Sequence, residues 1–149
     1  MGKTSNQEAA NGWTDEKIIT SDDFSIANIG VIADNTAKTF QYTIPLGSVV
    51  CNVGAELVTA FKDSGSGNQL NVIVGDPGDD NGFLTTAALH DSQTEITKVV
   101  NTGTLIATAT KAYAAASTID IKFSIAGATY TVNELSEGRV KFKFTLISV

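Results

Sequence analysis

The segment from Arg139 to Leu146 constrains the fold more than any other part of the chain. In an extended backbone, Val140, Phe142, Phe144 and Leu146 point to one side. Arg139, Lys141, Lys143 and Thr145 point to the other. A pairing slip of one residue would bury three cations, so this strand admits one register and one buried face. The same period-two pattern recurs from Thr118 to Ile125, where Ile119, Ile121, Phe123 and Ile125 oppose Asp120, Lys122 and Ser124. From Lys38 to Ile44 the apolar row is Phe40, Tyr42 and Ile44. Helix formers are scarce while Thr, Val, Ile and Gly are plentiful, which favours pleated, half-buried surfaces.

Other segments mark their faces less clearly. Between Ser48 and Phe61, Val49, Cys51, Val53, Leu57 and Phe61 are expected inward and Val50 and Val58 outward. That pattern suits either a strand buried on both faces or one with a bulge near Gly54. Gln69 to Gly75 alternates through Leu70, Val72 and Val74. Glu16 to Thr20 reads as a short edge strand, and Asn28 and Gly30 predict a bend within Phe24 to Ile32. The loop Asp63 to Asn68 predicts a hairpin, and the run Gly75 to Gly82 is the strongest turn cluster. Glu137-Gly138 predicts another tight turn, Pro45 a strand end, and Ala107 to Ala116 the one helical stretch. The expected fold is all-β: an antiparallel β-sandwich, jelly-roll-like, of about eight to ten strands. Residues 1–14 are polar and are expected to form a flexible arm, with 15–149 as a single sandwich domain.

Composition narrows the function. The 149 residues are 42% hydrophobic and only 17% charged, which suits a packed core and not a disordered chain. Net charge is −6, and no Lys/Arg cluster is dense enough for a nucleic-acid groove. No apolar run reaches the length of a membrane-spanning helix, and the first residues lack the apolar core of a secretory signal. The lone Cys51 and lone His90 exclude an intramolecular disulfide and a Cys/His zinc site. No phosphate loop, dinucleotide fingerprint or nucleophile elbow is present.

Each candidate for chemistry has a plainer reading beside it. His90 would need a nucleophile and an orienting acid, and its neighbours Asp91 and Ser92 prove neither. Its plainer reading is a loop or strand-edge histidine. Cys51 lies in an apolar strand, where a thiol packs as a small hydrophobe. Asp76, Asp79 and Asp80, with Asn81, offer oxygen ligands for calcium; otherwise they build an acidic turn by bonding their own backbone. Their spacing does not follow the EF-hand pattern. Arg139, Lys141 and Lys143 form a basic stripe suited to docking on another chain, or to a solvated face that discourages uncontrolled strand pairing. Trp13, in the polar arm, is a candidate docking anchor. Trp13, Tyr42, Tyr113 and Tyr130 are the aromatic groups available to a sugar-binding platform.

The run IPLGSVVCNVGAELVTAF followed by QLNVIVGDPGDDNGFL, and the closing stretch IDIKFSIAGATYTVNELSEGRVKFKFTLI, resemble small virion structural proteins of tailed bacteriophages. The shared features are a strand opened by a Pro-x-Gly turn, an apolar strand ending in Ala-Phe, and a Val-Gly-Asp strand end followed by an Asp/Gly turn. The resemblance implies a capsid decoration, head-fibre or tail-accessory protein with a jelly-roll or sandwich fold, commonly a trimer. It implies no catalytic residues. The expected partners are further copies of this chain and the major capsid protein or another virion protein, with no nucleic acid or membrane. The expected location is the virion, assembled in the host cytoplasm, which suits a single unpaired Cys. The competing class is a lectin-like module binding carbohydrate on a host surface, with calcium at Asp76, Asp79 and Asp80. An enzyme is the third class, for which no constellation is visible.

Overall fold

The computed structural model describes residues 16–30, 32, 36–63, 69–91, 94–95, 113–126 and 135–148. Among these residues the elements are β1 (Glu16–Thr20), β2 (Phe24–Ser25), a one-turn helix α1 (Ile26–Ile29), β3 (Ala37–Ile44) and β4 (Ser48–Asp63). They continue with β5 (Gln69–Asp76), β6 (Asp79–Asp91), β7 (Thr94–Glu95), β8 (Ser117–Ala126) and β9 (Leu135–Ser148). The expected arm, residues 1–14, lies outside the described residues.

The strands form two antiparallel sheets. In the four-stranded sheet β9 is central, with β1 and β2 along one edge and β4 along the other. The five-stranded sheet runs β3-β8-β5-β6-β7. Pairing is nested in sequence: β1 and β2 with β9, β3 with β8, β5 with β6. This nesting, split between two sheets, is the jelly-roll arrangement that the strand pattern predicts.

One core joins the sheets. Phe24, Val140, Phe142, Phe144 and Leu146 from the first meet Ile44, Val72, Val74, Ile119, Ile121 and Phe123 from the second. Phe24 and Phe142 approach Phe123 with ring centroids 5.2 and 6.2 Å apart, and Tyr42 lies 6.0 Å from Phe144. Each such buried side chain stabilises the fold by about 1.5–3 kcal/mol relative to exposure. The inward rows of β3, β8 and β9 are those expected from alternation. Asp120 keeps to the face opposite Ile119 and Ile121 but is buried there, and its Oδ1 accepts from the Thr118 hydroxyl at 2.6 Å and the Gln41 amide at 3.1 Å. β5 is buried on both faces over much of its length, because Asn71 and Gly75 are covered along with Leu70, Val72, Val74 and Asp76.

Four local expectations are corrected. First, β4 breaks step between Val50 and Asn52, so Val50 is buried and Val49 and Cys51 are only partly so. The bulge lies at Cys51; pairing through Gly54 is regular. Second, β4 and β5 belong to different sheets, so Asp63–Asn68 joins the sheets and does not close a hairpin. Third, Glu137-Gly138 is not a turn but lies within β9, where β4 and β9 fall out of register. Gly138 has φ 148°, and a Cβ there would overlap the Phe61 ring, so only glycine fits. Fourth, residues 113–116 of the expected helix are not helical; residues 107–112 lie outside the described residues. The bend expected near Asn28 is α1, capped where Asn28 N–H donates to Ser25 Oγ at 3.2 Å.

Between β1 and β2 the edge is interrupted. Ser21 bridges the gap: its N–H donates to the Phe142 carbonyl and its Oγ accepts from Phe142 N–H, each at 2.8 Å. The hydroxyl stands in for a missing backbone carbonyl, so the buried Phe142 amide stays satisfied.

Candidate functional site

Antiparallel register brings the end of β3, the start of β4, the β5–β6 turn, the start of β8 and the end of β9 to one end of the sandwich. Three segments there are tied together. Pro45 closes the β3–β4 turn, its carbonyl accepting from Ser48 N–H at 3.1 Å. Asp76 builds the β5–β6 turn: its Oδ1 accepts from the N–H groups of Gly78 and Asp79 at 2.8 and 2.9 Å. The hairpin folds over Gly75, where a Cβ would overlap the backbone of Asp79 and Asp80. Tyr113 then links both turns. Its carbonyl accepts from Gly47 N–H at 2.9 Å, its N–H donates to the Ser48 carbonyl at 3.1 Å, and its hydroxyl donates to Asp76 Oδ2 at 2.6 Å.

Asp76 is 1% exposed. Burial of a carboxylate is costly unless donors surround it, and these three bonds supply them. Burial, and then the Asp76 carboxylate, push the Tyr113 phenol well above its ordinary range, so it stays a donor. Beside this lock is a shallow open depression of about 250 Å³ lined by Pro77, Gly78, Ala114, Ala115, Ala116 and Ser117 together with Asp76 and Tyr113. A second, of about 510 Å³, adjoins it through Pro77, Ala116 and Ser117 and reaches Thr43 and Thr118.

Two of the three acids expected to share a cation are sent different ways. Asp76 turns inward, and Asp80 Oδ2 pairs with Lys122 Nζ at 3.0 Å. Among the described residues no group of three or more His, Cys, Asp or Glu side chains is gathered to hold a metal ion. Asp76 has the geometry of a turn-building carboxylate.

The basic stripe lies on the outer face of the four-stranded sheet. Lys141 and Lys143 share Glu56 of β4 at 3.5 and 3.8 Å, and Arg139 reaches Asp23 at 3.6 Å. Glu56 stands directly opposite Lys141 in the ladder, a pairing invisible without the register. These pairs are solvent-exposed and contribute little to stability.

The remaining candidates sit apart. His90 is buried in β6, its backbone opposite Leu70 and Glu95, and lines neither depression. Cys51 is half-buried at the bulge; burial, followed by the nearby Glu16 carboxylate, raises its thiol pKa and dulls its reactivity. Tyr42 packs inward with its hydroxyl at the rim, accepting from Asp22 N–H at 3.2 Å. Trp13, Ser92 and Tyr130 lie outside the described residues. The Tyr113–Asp76 bond spans 37 positions, and nothing in the local pattern announces it. Only the Asp-Pro-Gly turn signature at Asp76 was there to find.

No protein-family model matches the chain, and no curated protein matches it. Its fold is shared with a chain of the capsid asymmetric unit of cyanophage Pam1: TM-score 0.58, 15% identity, 91% of this chain and 86% of that one. A chain from the structure of infectious bursal disease virus, Gx strain, is similar at TM-score 0.49 and 15% identity over 91% of this chain and 33% of that one.

Proposed function

We propose that this chain is a non-enzymatic virion structural protein of the capsid decoration type, which self-associates as a trimer and docks on a phage capsid. The observation that carries the reading is the end-to-end fold match to a chain of a phage capsid, covering 91% of one and 86% of the other. Coverage that even means the two chains are of similar length. The Pam1 chain is thus a sandwich of about this size standing as a separate chain in a capsid. The sequence resemblance to small phage virion proteins supports the same reading independently. A sandwich whose turns are locked at one end offers a preorganised rim, which lowers the ordering cost of docking. Weak contacts from each copy of a trimer then add by effective concentration.

The test is peptide mass spectrometry of virions purified from the lysate that yields this chain. The reading expects the chain at a copy number comparable to the shell protein, and particles lacking it to lose resistance to heat. A chain absent from purified particles would overturn it.

A further inference from the structure

A strand at the edge of a sheet leaves half of its N–H and C=O groups unpaired, and proteins guard such edges with charges, bulges, prolines or shortness. Most edges of this sandwich carry a guard. β2 and β7 are two residues long, and β1 is five residues long with Glu16 and Lys17 beside its exposed Ile18. β4 is long but breaks register repeatedly against β9. β3 carries no such guard. It runs for eight residues, Ala37–Ile44, in unbroken register with β8, and Pro45 comes only after its end. Among the described residues no other strand or helix runs along its free side, and no backbone hydrogen bond leaves it there. Its outer row, Ala37, Thr39, Gln41 and Thr43, is exposed and uncharged. Its one charge, Lys38, lies over the Phe40 ring, with Nζ 5.6 Å from the centroid. Phe40 and Tyr42, on the inner row, remain only partly buried.

We propose that β3 pairs antiparallel with β3 of a second copy of this chain about a two-fold axis, joining two five-stranded sheets edge to edge. The occupant follows from the edges themselves. Among the described strands only β3 is long, regular and uncharged enough to match β3 along its length. A two-fold contact needs one patch that fits itself. Opposed residues of an antiparallel pair share a face, so the axis passes through a residue and not between two. With the axis at Gln41, Thr39 stands opposite the second copy's Thr43, Phe40 opposite its Tyr42, and Lys38 opposite its Ile44. Thr–Thr and aromatic pairs are favourable cross-strand neighbours. The two Lys38 residues then lie about 20 Å apart along the strands, so no like charges meet. Pairing also covers the edges of Phe40 and Tyr42 that the monomer leaves open. A single strand edge is a small contact, so it acts where copies are already held close together. This rests on the self-association reading above and adds to it: a two-fold contact links copies of neighbouring trimers, which a threefold axis does not.

The experiment is disulfide cross-linking of the full chain in a Cys51→Ser background, with diamide as oxidant. It is read on a denaturing gel without reductant, and circular dichroism confirms that each variant folds. Opposed Cα atoms in antiparallel strands are about 4.5–5.5 Å apart, within reach of a disulfide. Gln41→Cys is therefore expected to give a covalent dimer of twice 15.6 kDa. Gln41 also donates to Asp120, so a second arm leaves it in place. Thr39→Cys mixed with Thr43→Cys is expected to cross-link. Thr39→Cys alone is not, because its two copies lie about 13 Å apart along the strands. Random collision of exposed thiols cannot make that distinction. Thr39→Cys alone cross-linking as well as the mixture, or no cross-link in either Gln41→Cys or the mixture, would overturn the contact. In that event light scattering on the wild type separates the two readings. A wild type that assembles leaves self-association standing. One that stays at 15.6 kDa at every concentration overturns both, and the virion reading would still rest on the particle analysis.

Discussion

β9 keeps strict alternation from Arg139 to Leu146, whereas its neighbour β4 breaks step at Cys51 and again beyond Leu57. The two strands are hydrogen-bonded to each other for most of their length; β9 is central and β4 lies at the sheet edge, and a further difference is chemical. It lies in what each strand presents outward. β9 offers Arg139, Lys141 and Lys143, each of which resists burial, so every slip is penalised. β4 offers Asn52, Gly54, Glu56 and Val58, of which only Glu56 is charged. Its register is therefore imposed by its partner, by the Phe61 ring seated on Gly138, and by the Tyr113 strap at Ser48.

Mutations can break or sharpen this contrast. The largest effect is expected at the rigid strand. Phe142→Ala should cost about 3–5 kcal/mol through the cavity it leaves. Val58→Ala, on the outer face of β4, should stay within about 0.5 kcal/mol. Urea unfolding of both variants checks this, and similar losses would erase the distinction between the strands.

Next is the strap that holds the start of β4. Tyr113→Phe removes a donor from the buried Asp76 carboxylate and should cost about 1.5–3 kcal/mol. The pH dependence follows from the same bond. The unfolded chain ionises this phenol near its ordinary 10.0, while the folded chain holds it protonated to higher pH. Its contribution is thus complete below pH 10.0 and is lost as pH rises above it. Unfolding measured across the alkaline range should fall less steeply in Tyr113→Phe than in wild type. Some slope should persist from Tyr42, whose pKa burial also raises.

Two glycines probe the bulges directly. Gly138→Ala forces a Cβ into the Phe61 ring and should cost about 1–3 kcal/mol from overpacking, with further strain from its positive φ. Gly54→Ala meets open space in a regular stretch and should be neutral or stabilising by up to about 1 kcal/mol. Melting temperatures that move in the same direction for both would contradict this placement of the bulges. The smallest effect belongs to the surface pairs. Glu56→Gln should cost no more than about 1 kcal/mol, and a salt titration should reduce its difference from wild type.

Where the sequence carried charge and apolar residues in strict alternation, the structure was legible in advance. The inward rows of β3, β8 and β9 and the acidic β5–β6 turn follow from period and turn chemistry alone. The Cys51 bulge did not, because Val49, Val50 and Cys51 are all apolar enough to face either way. The role of Gly138 is hidden from local pattern because a glycine after Glu137 carries a turn signature, while its actual partner, Phe61, is remote in sequence. Likewise, the loop after β4 resembled a hairpin because loop composition reports that a chain reverses, not which sheet receives it. The candidate site was half visible: the turn geometry of Asp76 was foreseeable, and its bond to Tyr113 was not.

The sequence by itself determined an all-β chain, its best-marked strand faces, and the absence of paired cysteines. These depend on neighbours a few positions apart, where backbone period governs which side chains share a surface. Only the tertiary structure decided which acid is buried, which cation meets Glu56, and which exposed apolar groups share a surface with which charges. Those outcomes depend on strand register between segments far apart in the chain. Register is set by the summed packing of two sheets, which no local pattern encodes.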